Sequence, residues 1–394
     1  MSVENRTIGR MIKNAPTENQ QKEDIMNGQR RSEDIMDVNH QENMPVDTGN
    51  GKGIAAKRKR VLEGAFFLLV MGLSFYTVFH GQDMGQVSAA LRKLSPAALC
   101  TALMTAVFFV SAEGVMIYYL LRAMDGKSGL LKCISYSFIG FFYSGITPSA
   151  TGGQPMQLYY MCKDKNSLSE SSVVLMTVAL IYKFVLVVIG IGILFFWHKP
   201  LKGYLQGYYP LFLLGLCLNL TLVVILLAVM LAPGGIKSVI VRIEDLLVKV
   251  RILKPSAVRR DKIEKFIGGY QNAVRFLLEH KGKVWNVCLF TLLQRCSVFI
   301  LTWIIYRGFS LEGVDAMTVI MLQASVYIAV DMLPVPGAQG ITELMYRGIF
   351  STVFIDGTLM PSLYVTRGIS FYFLLIVGMI VIIGNHVYRR RDIT

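Results

Sequence analysis

Leu211 to Leu231 is an apolar run without one charged residue. A run of about twenty such residues matches the hydrocarbon thickness of a bilayer, where a helix satisfies its own backbone groups. Val61 to Phe79, Pro96 to Leu121, Val173 to Trp197, Val284 to Tyr306 and Tyr364 to Val387 read in the same way. The sequence therefore predicts an all-α fold, a polytopic transmembrane helical bundle. Composition agrees, with 53% hydrophobic residues, 17% charged and a mean hydropathy of +0.49, far from the balance of a soluble domain.

Two further apolar segments are interrupted by helix breakers, "GITPSATGGQP" at Gly145 to Pro155 and "DMLPVPGAQGITE" at Asp331 to Glu343. Irregular backbone at membrane depth is tolerated where it is buried in protein or lines a wet cavity. The pieces flanking each break are too short to span alone, so each reads as a re-entrant hairpin. Packing kinks are the plainer alternative. In the site reading, a short helix begins near the membrane centre just after each break, at about Pro155 and at about Gly340, and presents unpaired N–H groups to an anion such as phosphate. Gly152, Gly153, Gly337 and Gly340 let a ligand approach the backbone. Thr147, Ser149, Thr151, Gln154, Gln339 and Thr342 add neutral hydrogen-bonding groups beside Pro148, Pro155 and Pro336.

Charge flanks set the orientation. Lys57, Arg58, Lys59 and Arg60 precede the first span, and Arg389, Arg390 and Arg391 follow the last. Basic clusters stay in the cytoplasm, so both termini are expected there, in a multi-pass protein of the plasma membrane. The two broken-helix hairpins then enter from opposite faces, the first from the cytoplasm and the second from outside. That opposite topology is the mark of a substrate site at the midplane of transporters built from inverted repeats. Residues 1–56 are polar and lack periodicity, a disordered cytoplasmic tail, with "EDIM" occurring at Glu23 and again at Glu33. Residues 57–391 form the membrane domain. Within it, 233–282 is a basic cytoplasmic segment whose stripe Val239, Ile243, Leu246, Leu247 and Val250 suits a helix lying on an anionic leaflet.

Glu113, Lys183, Arg295, Asp331, Glu343 and Arg347 fall inside apolar sequence, where each charge costs about 2.5–3.5 kcal/mol to insert. They imply a polar interior. Lys183 and Arg295 are candidates for a lipid phosphate, Asp331 joins the substrate site, and Glu113 and Glu343 are candidates for a proton or an amine. Structural pairing is the alternative for each, and Glu343 in the first turn of a half-helix also suits its dipole.

Other classes find little support. The formal charge of +14 lacks the basic stripe interleaved with aromatics that nucleic-acid binding needs. The six cysteines show no C-x-x-C spacing, and the histidines no H-x-x-x-H, so neither a disulfide framework nor a metal is expected. "DGKSG" at Asp125 lacks the first glycine of a phosphate loop, since Leu121 stands there. No catalytic residue, cofactor or ATPase motif is expected.

"TPSATGGQP" followed by an aromatic-rich short helix, with "PVPGAQGITE" before the last spans, resembles the lysylphosphatidylglycerol synthase transmembrane family, the flippase-type membrane domain of the multiple peptide resistance factor. The resemblance covers Lys59 to Arg391. In the family's P-G-G-x-G-x-x-E motif, Pro336, Gly337, Gly340 and Glu343 match, while Ala338 replaces the second glycine. It implies binding of an anionic or aminoacylated phospholipid and its translocation between leaflets. The alternatives are a phosphatidylglycerol lysyltransferase, linked to cationic-peptide resistance and acting with a separate soluble synthase, or an accessory subunit of a lipid or envelope-glycan pathway. The family's cytoplasmic acyltransferase-like domain is not expected in this chain. The expected partners are membrane phospholipid and the anionic cytoplasmic leaflet, with a synthase partner and homo-oligomerisation left open.

Overall fold

The computed structural model describes residues 84–147, 150–232, 257–333, 338, 340–355 and 357–391, with isolated positions between 238 and 249. The chain divides into units Met1–Leu69 and Val70–Thr394, and the described residues belong to the second. The expected tail, the first span at Val61 to Phe79 and its basic flank lie outside them, as do Pro148, Ser149, Pro336, Gly337 and Gln339.

All regular structure among the described residues is helical. Five stretches are long and apolar enough to cross a membrane: Pro96–Ala123, Leu168–Phe196, His198–Leu231, Lys281–Gly308 and Leu359–Val387. With the family assignment given below, the chain is a multi-pass membrane protein. Helix α1 (Met84–Lys93) leads into α2 (Pro96–Ala123), whose start is fixed by Pro96 and by the Ser95 hydroxyl accepting from the Ala98 amide at 3.3 Å. Helices α3 (Leu130–Ile146) and α4 (Gly153–Lys163) flank the first break, and α5 (Leu168–Phe196) follows. The short α6 (His198–Leu205) precedes α7 (Tyr209–Leu231). Then come α8 (Ala257–Glu279) and α9 (Lys281–Gly308). Helices α10 (Ala316–Val330) and α11 (Ile341–Phe350) flank the second break. The chain continues through α12 (Leu359–Arg367), a π-helical segment Gly368–Phe373 and α13 (Leu374–Arg391). Asp315 caps α10 outside the apolar stretch. Its carboxylate accepts from the Thr318 hydroxyl and amide, and the two bonds hold its pKa below the ordinary value.

Helix α2 packs on α9 and α3, α5 on α7, and α10 on α7 and α9, while α13 lies along α3. One large core joins Phe109, Leu186, Phe212, Phe299, Val319 and Phe350 across these helices. Apolar residues also cover the outside. Val224, Ile225 and Val229 on α7 and Phe195 and Phe196 on α5 are all exposed, as a lipid-facing band requires.

Without a hydrophobic force between helices in lipid, close backbone approach at small residues holds such bundles together. A Cβ on Gly114 of α2 would stand 2.4 Å from the Ile134 Cα on α3, and one on Gly215 of α7 would stand 2.4 Å from the Ile328 oxygen on α10.

Several boundaries differ from the sequence reading. The half-helix after the first break starts at Gly153, two residues before Pro155, and α11 ends at Phe350 where helix to Phe354 was expected. The basic segment is not simply a surface helix. Its helix α8 buries Tyr270, Ala273, Val274 and Leu277 in a core shared with α2, α3 and α5, and Arg259 bonds the buried Glu244 at 2.8 Å. Of the expected stripe, Leu246 is exposed and the other four residues lie outside the described set.

Gly114→Ala and Gly215→Ala should each lower the melting temperature of the purified protein, at a cost of about 1–3 kcal/mol for overpacking. Gly192→Ala, with nothing within 4 Å of its added carbon, should leave it unchanged or raise it.

Candidate functional site

Both breaks face one cavity of about 570 Å³, within the range of small-molecule and headgroup sites. Ala150, Thr151 and Gln154 of the first break and Asp331, Met332 and Ala338 of the second line it. Helices α2, α3, α5, α9, α10 and α12 complete the wall.

The first break is shaped by local bonds. Chain direction reverses after Ile146, where the Thr147 hydroxyl donates to the Tyr143 oxygen at 2.6 Å and accepts from the Gly152 amide at 2.9 Å. A Cβ at Gly153 would fall 2.0 Å from the Ser144 Oγ, and one at Gly152 would fall 2.7 Å from the Thr147 Cγ2. These glycines therefore let α4 fold tightly against α3. Of the residues expected to bind substrate here, Thr151 and Gln154 line the cavity. Thr147, Gly152 and Gly153 shape the turn, and Pro155 is exposed. At the second break, Ala338 and Gly340 both have left-handed φ, +50° and +77°. The Thr342 hydroxyl donates to the Ala338 oxygen at 2.7 Å, closing the start of α11. Ala338 thus holds a backbone conformation that glycine adopts more readily.

The charged residues take distinct roles. Asp331, at the end of α10, accepts from both the Tyr182 hydroxyl and the Lys183 ammonium of α5. Lys183 also reaches the Met332 sulfur at 3.1 Å. Glu343, beside the cavity on α11, accepts from the Arg367 Nε at 2.8 Å across to α12. Glu113 on α2 accepts from the Gln157 amide of α4 at 2.6 Å. Each break is thereby latched to a long helix by a buried polar contact. Arg347 is exposed and does not line the cavity, because α11 directs its apolar face, with Met345, Tyr346 and Ile349, into the core.

Arg295 differs from the rest. It is buried at 5% exposure, and its guanidinium stacks over Phe109 at 4.5 Å and Tyr182 at 4.2 Å. The Tyr327 hydroxyl lies 3.4 Å from its Nη1. No carboxylate pairs with it, and its Nε has no hydrogen-bond partner among the described residues. Gln323 Oε1, on a residue of the same cavity, also lacks a partner among the described residues. Buried polar groups are ordinarily satisfied, and these are exceptions that fall on residues lining the cavity.

The sequence reading missed Gln157, Tyr182, Gln294, Gln323, Tyr327 and Arg367, all of which line the cavity. Arg367 carried the signal that marked Arg295, an arginine inside an apolar span. The glutamines and tyrosines carried none, because neutral polar residues are common in membrane helices.

Removing one member of a buried ion pair strands the other. Lys183→Met should destabilise the detergent-solubilised protein by about 3–5 kcal/mol, and adding Asp331→Leu should recover most of that loss. Thermal unfolding of the two single variants and the double variant checks it; additive losses would show that the pair is not coupled.

A comparison of the chain with curated proteins found no match. The family model described as the lysylphosphatidylglycerol synthase TM region matches residues 61–378, well over half of the chain, including both breaks and every described helix that lines the cavity. The chain belongs to the lysylphosphatidylglycerol synthase TM-region family.

Proposed function

We propose that this protein binds the anionic headgroup of a membrane phospholipid in the central cavity and carries it between leaflets. The observation that carries the reading is Arg295, a buried guanidinium facing the cavity with no carboxylate partner. A guanidinium in a dry site binds phosphate with charge-assisted hydrogen bonds, and its aromatic stacking leaves the donor edge available. The half-helix α4 adds a partial positive end beside Thr151 and Gln154.

In this reading the two helix–break–helix units are re-entrant hairpins of opposite topology. Both termini lie in the cytoplasm, residues 57–391 form the translocating domain, and the basic face of α8 meets the anionic leaflet. The cavity's apolar side, with Leu222, Leu226 and Phe371, accommodates the start of the acyl chains while the headgroup is held at Arg295. Phosphatidylglycerol and its lysyl ester both present the phosphodiester this site needs, and the family assignment favours them as substrates.

Proteoliposomes containing only this protein should exchange fluorescent phosphatidylglycerol or its lysyl form between leaflets. Arg295→Ala should slow that exchange roughly ten- to hundredfold, the equivalent of losing about 1.5–3 kcal/mol of charged hydrogen bonding. Equal rates for wild type and a folded Arg295→Ala protein would overturn the reading.

A further inference from the structure

Three carboxylates stand in or beside the cavity, and their partners differ. Asp331 is neutralised by Lys183, and Glu343 by Arg367. Among the described residues, Glu113 bonds the neutral Gln157 amide and pairs with no cation. Glu113 lies one helical turn from Phe109, the ring on which Arg295 stacks at 4.5 Å. The carboxylate is therefore within electrostatic reach of that guanidinium without pairing to it.

Charge bookkeeping in the cavity then reduces to two groups. With the two ion pairs internally neutral, Arg295 contributes one positive charge and ionised Glu113 one negative charge. An anion arriving at Arg295 meets a like charge in a low-dielectric space, where such repulsion is costly. A proton on Glu113 removes the repulsion and leaves the cavity neutral with its anion bound.

We propose that Glu113 is a proton-coupling site: a phosphodiester anion binds at Arg295 together with one proton taken up by the Glu113 carboxylate. This inference rests on the anion-binding reading above. It gives headgroup movement a driving force, because an anion that carries a proton responds to a pH gradient across the membrane. Gln157 sits on α4, directly after the first break, so the protonation state of Glu113 is felt by a half-helix of the site.

The surrounding groups leave Glu113 as the cavity member suited to this role. Arg295 comes from α9, Lys183 and Tyr182 from α5, Asp331 and Tyr327 from α10, and Arg367 from α12, with Glu343 behind it on α11. The elements packed on α2 also bring Cys133 from α3 and Tyr372 from the π-helical segment. Lys183 is paired with Asp331 and Arg367 with Glu343, so Glu113 is the carboxylate of the cavity that no described cation holds. From α3 and α4 the cavity receives Gly140, Ser144 and Gln157, none of which titrates.

The test is calorimetric titration of the purified full chain with short-chain phosphatidylglycerol, whose single charge does not titrate near neutral pH. Runs in buffers of different ionisation enthalpy count the protons taken up. Wild type should take up close to one proton per lipid on the alkaline side of the Glu113 pKa, with affinity falling about tenfold per pH unit there. Glu113→Gln keeps an acceptor for Gln157; it should bind with no proton uptake and an affinity that no longer depends on pH. Binding by wild type without proton uptake, or unchanged uptake in Glu113→Gln, would overturn the coupling while leaving the anion site standing. Absence of binding by folded wild-type protein at every pH would overturn the anion site and the coupling with it. The wild-type titration decides the matter even where the variant fails to fold.

Discussion

A buried guanidinium without a carboxylate is the feature around which the rest of this molecule is arranged. Taking such a charge out of water costs several kcal/mol. The stacking of Arg295 on Phe109 and Tyr182 returns about 0.5–2 kcal/mol for each ring. The difference is carried by the bundle: α2 and α9 pack along their length, and Gln294 donates to the Phe109 oxygen at 2.7 Å, fixing the ring on which the arginine rests. A protein that holds a cation this way gains nothing in stability from it. In the proposed reading, the arrangement is binding energy stored for an anion.

The two breaks depend on the same economy. The first is closed by Thr147 and by glycines that let α4 lie against α3, and the second by left-handed backbone at Ala338 and Gly340. Their attachments to the long helices, Gln157 to Glu113, Asp331 to Tyr182 and Lys183, and Glu343 to Arg367, all involve ionisable side chains. Backbone irregularity and ionisable side chains, both costly in a membrane, are thus concentrated in one place. The π-helical turn directly after Arg367 belongs to the same region, in keeping with the tendency of such turns to mark functional sites.

Much of this was legible in the sequence because the membrane enforces simple rules. Apolar length located four of the five long stretches to within about five residues and the C-terminal part of the fifth, His198–Leu231, and the Gly and Pro clusters located both breaks. Glu113, Lys183, Arg295 and Asp331 stood out as charges in apolar runs, and the structure brings all four to one cavity. Their pairing was hidden, since Lys183 and Asp331 are distant in sequence and meet only through the packing of α5 against α10. Arg347 looked equivalent to the others, yet it is exposed on α11 and does not line the cavity. The helical register of a short amphipathic piece becomes readable only once its core face is known. Tyr182, Tyr327 and Gln157 were invisible for the opposite reason: nothing in an apolar sequence marks a neutral polar residue as cavity-facing.

The central claim is that Arg295 receives a lipid phosphate. A cryo-EM map of the protein in nanodiscs containing phosphatidylglycerol tests it most directly. The account predicts headgroup density within hydrogen-bonding distance of the Arg295 guanidinium, with acyl density leaving past Leu222 and Leu226. Lipid confined to the outer surface, with the guanidinium contacting only Phe109, Tyr182 and Tyr327, would contradict it.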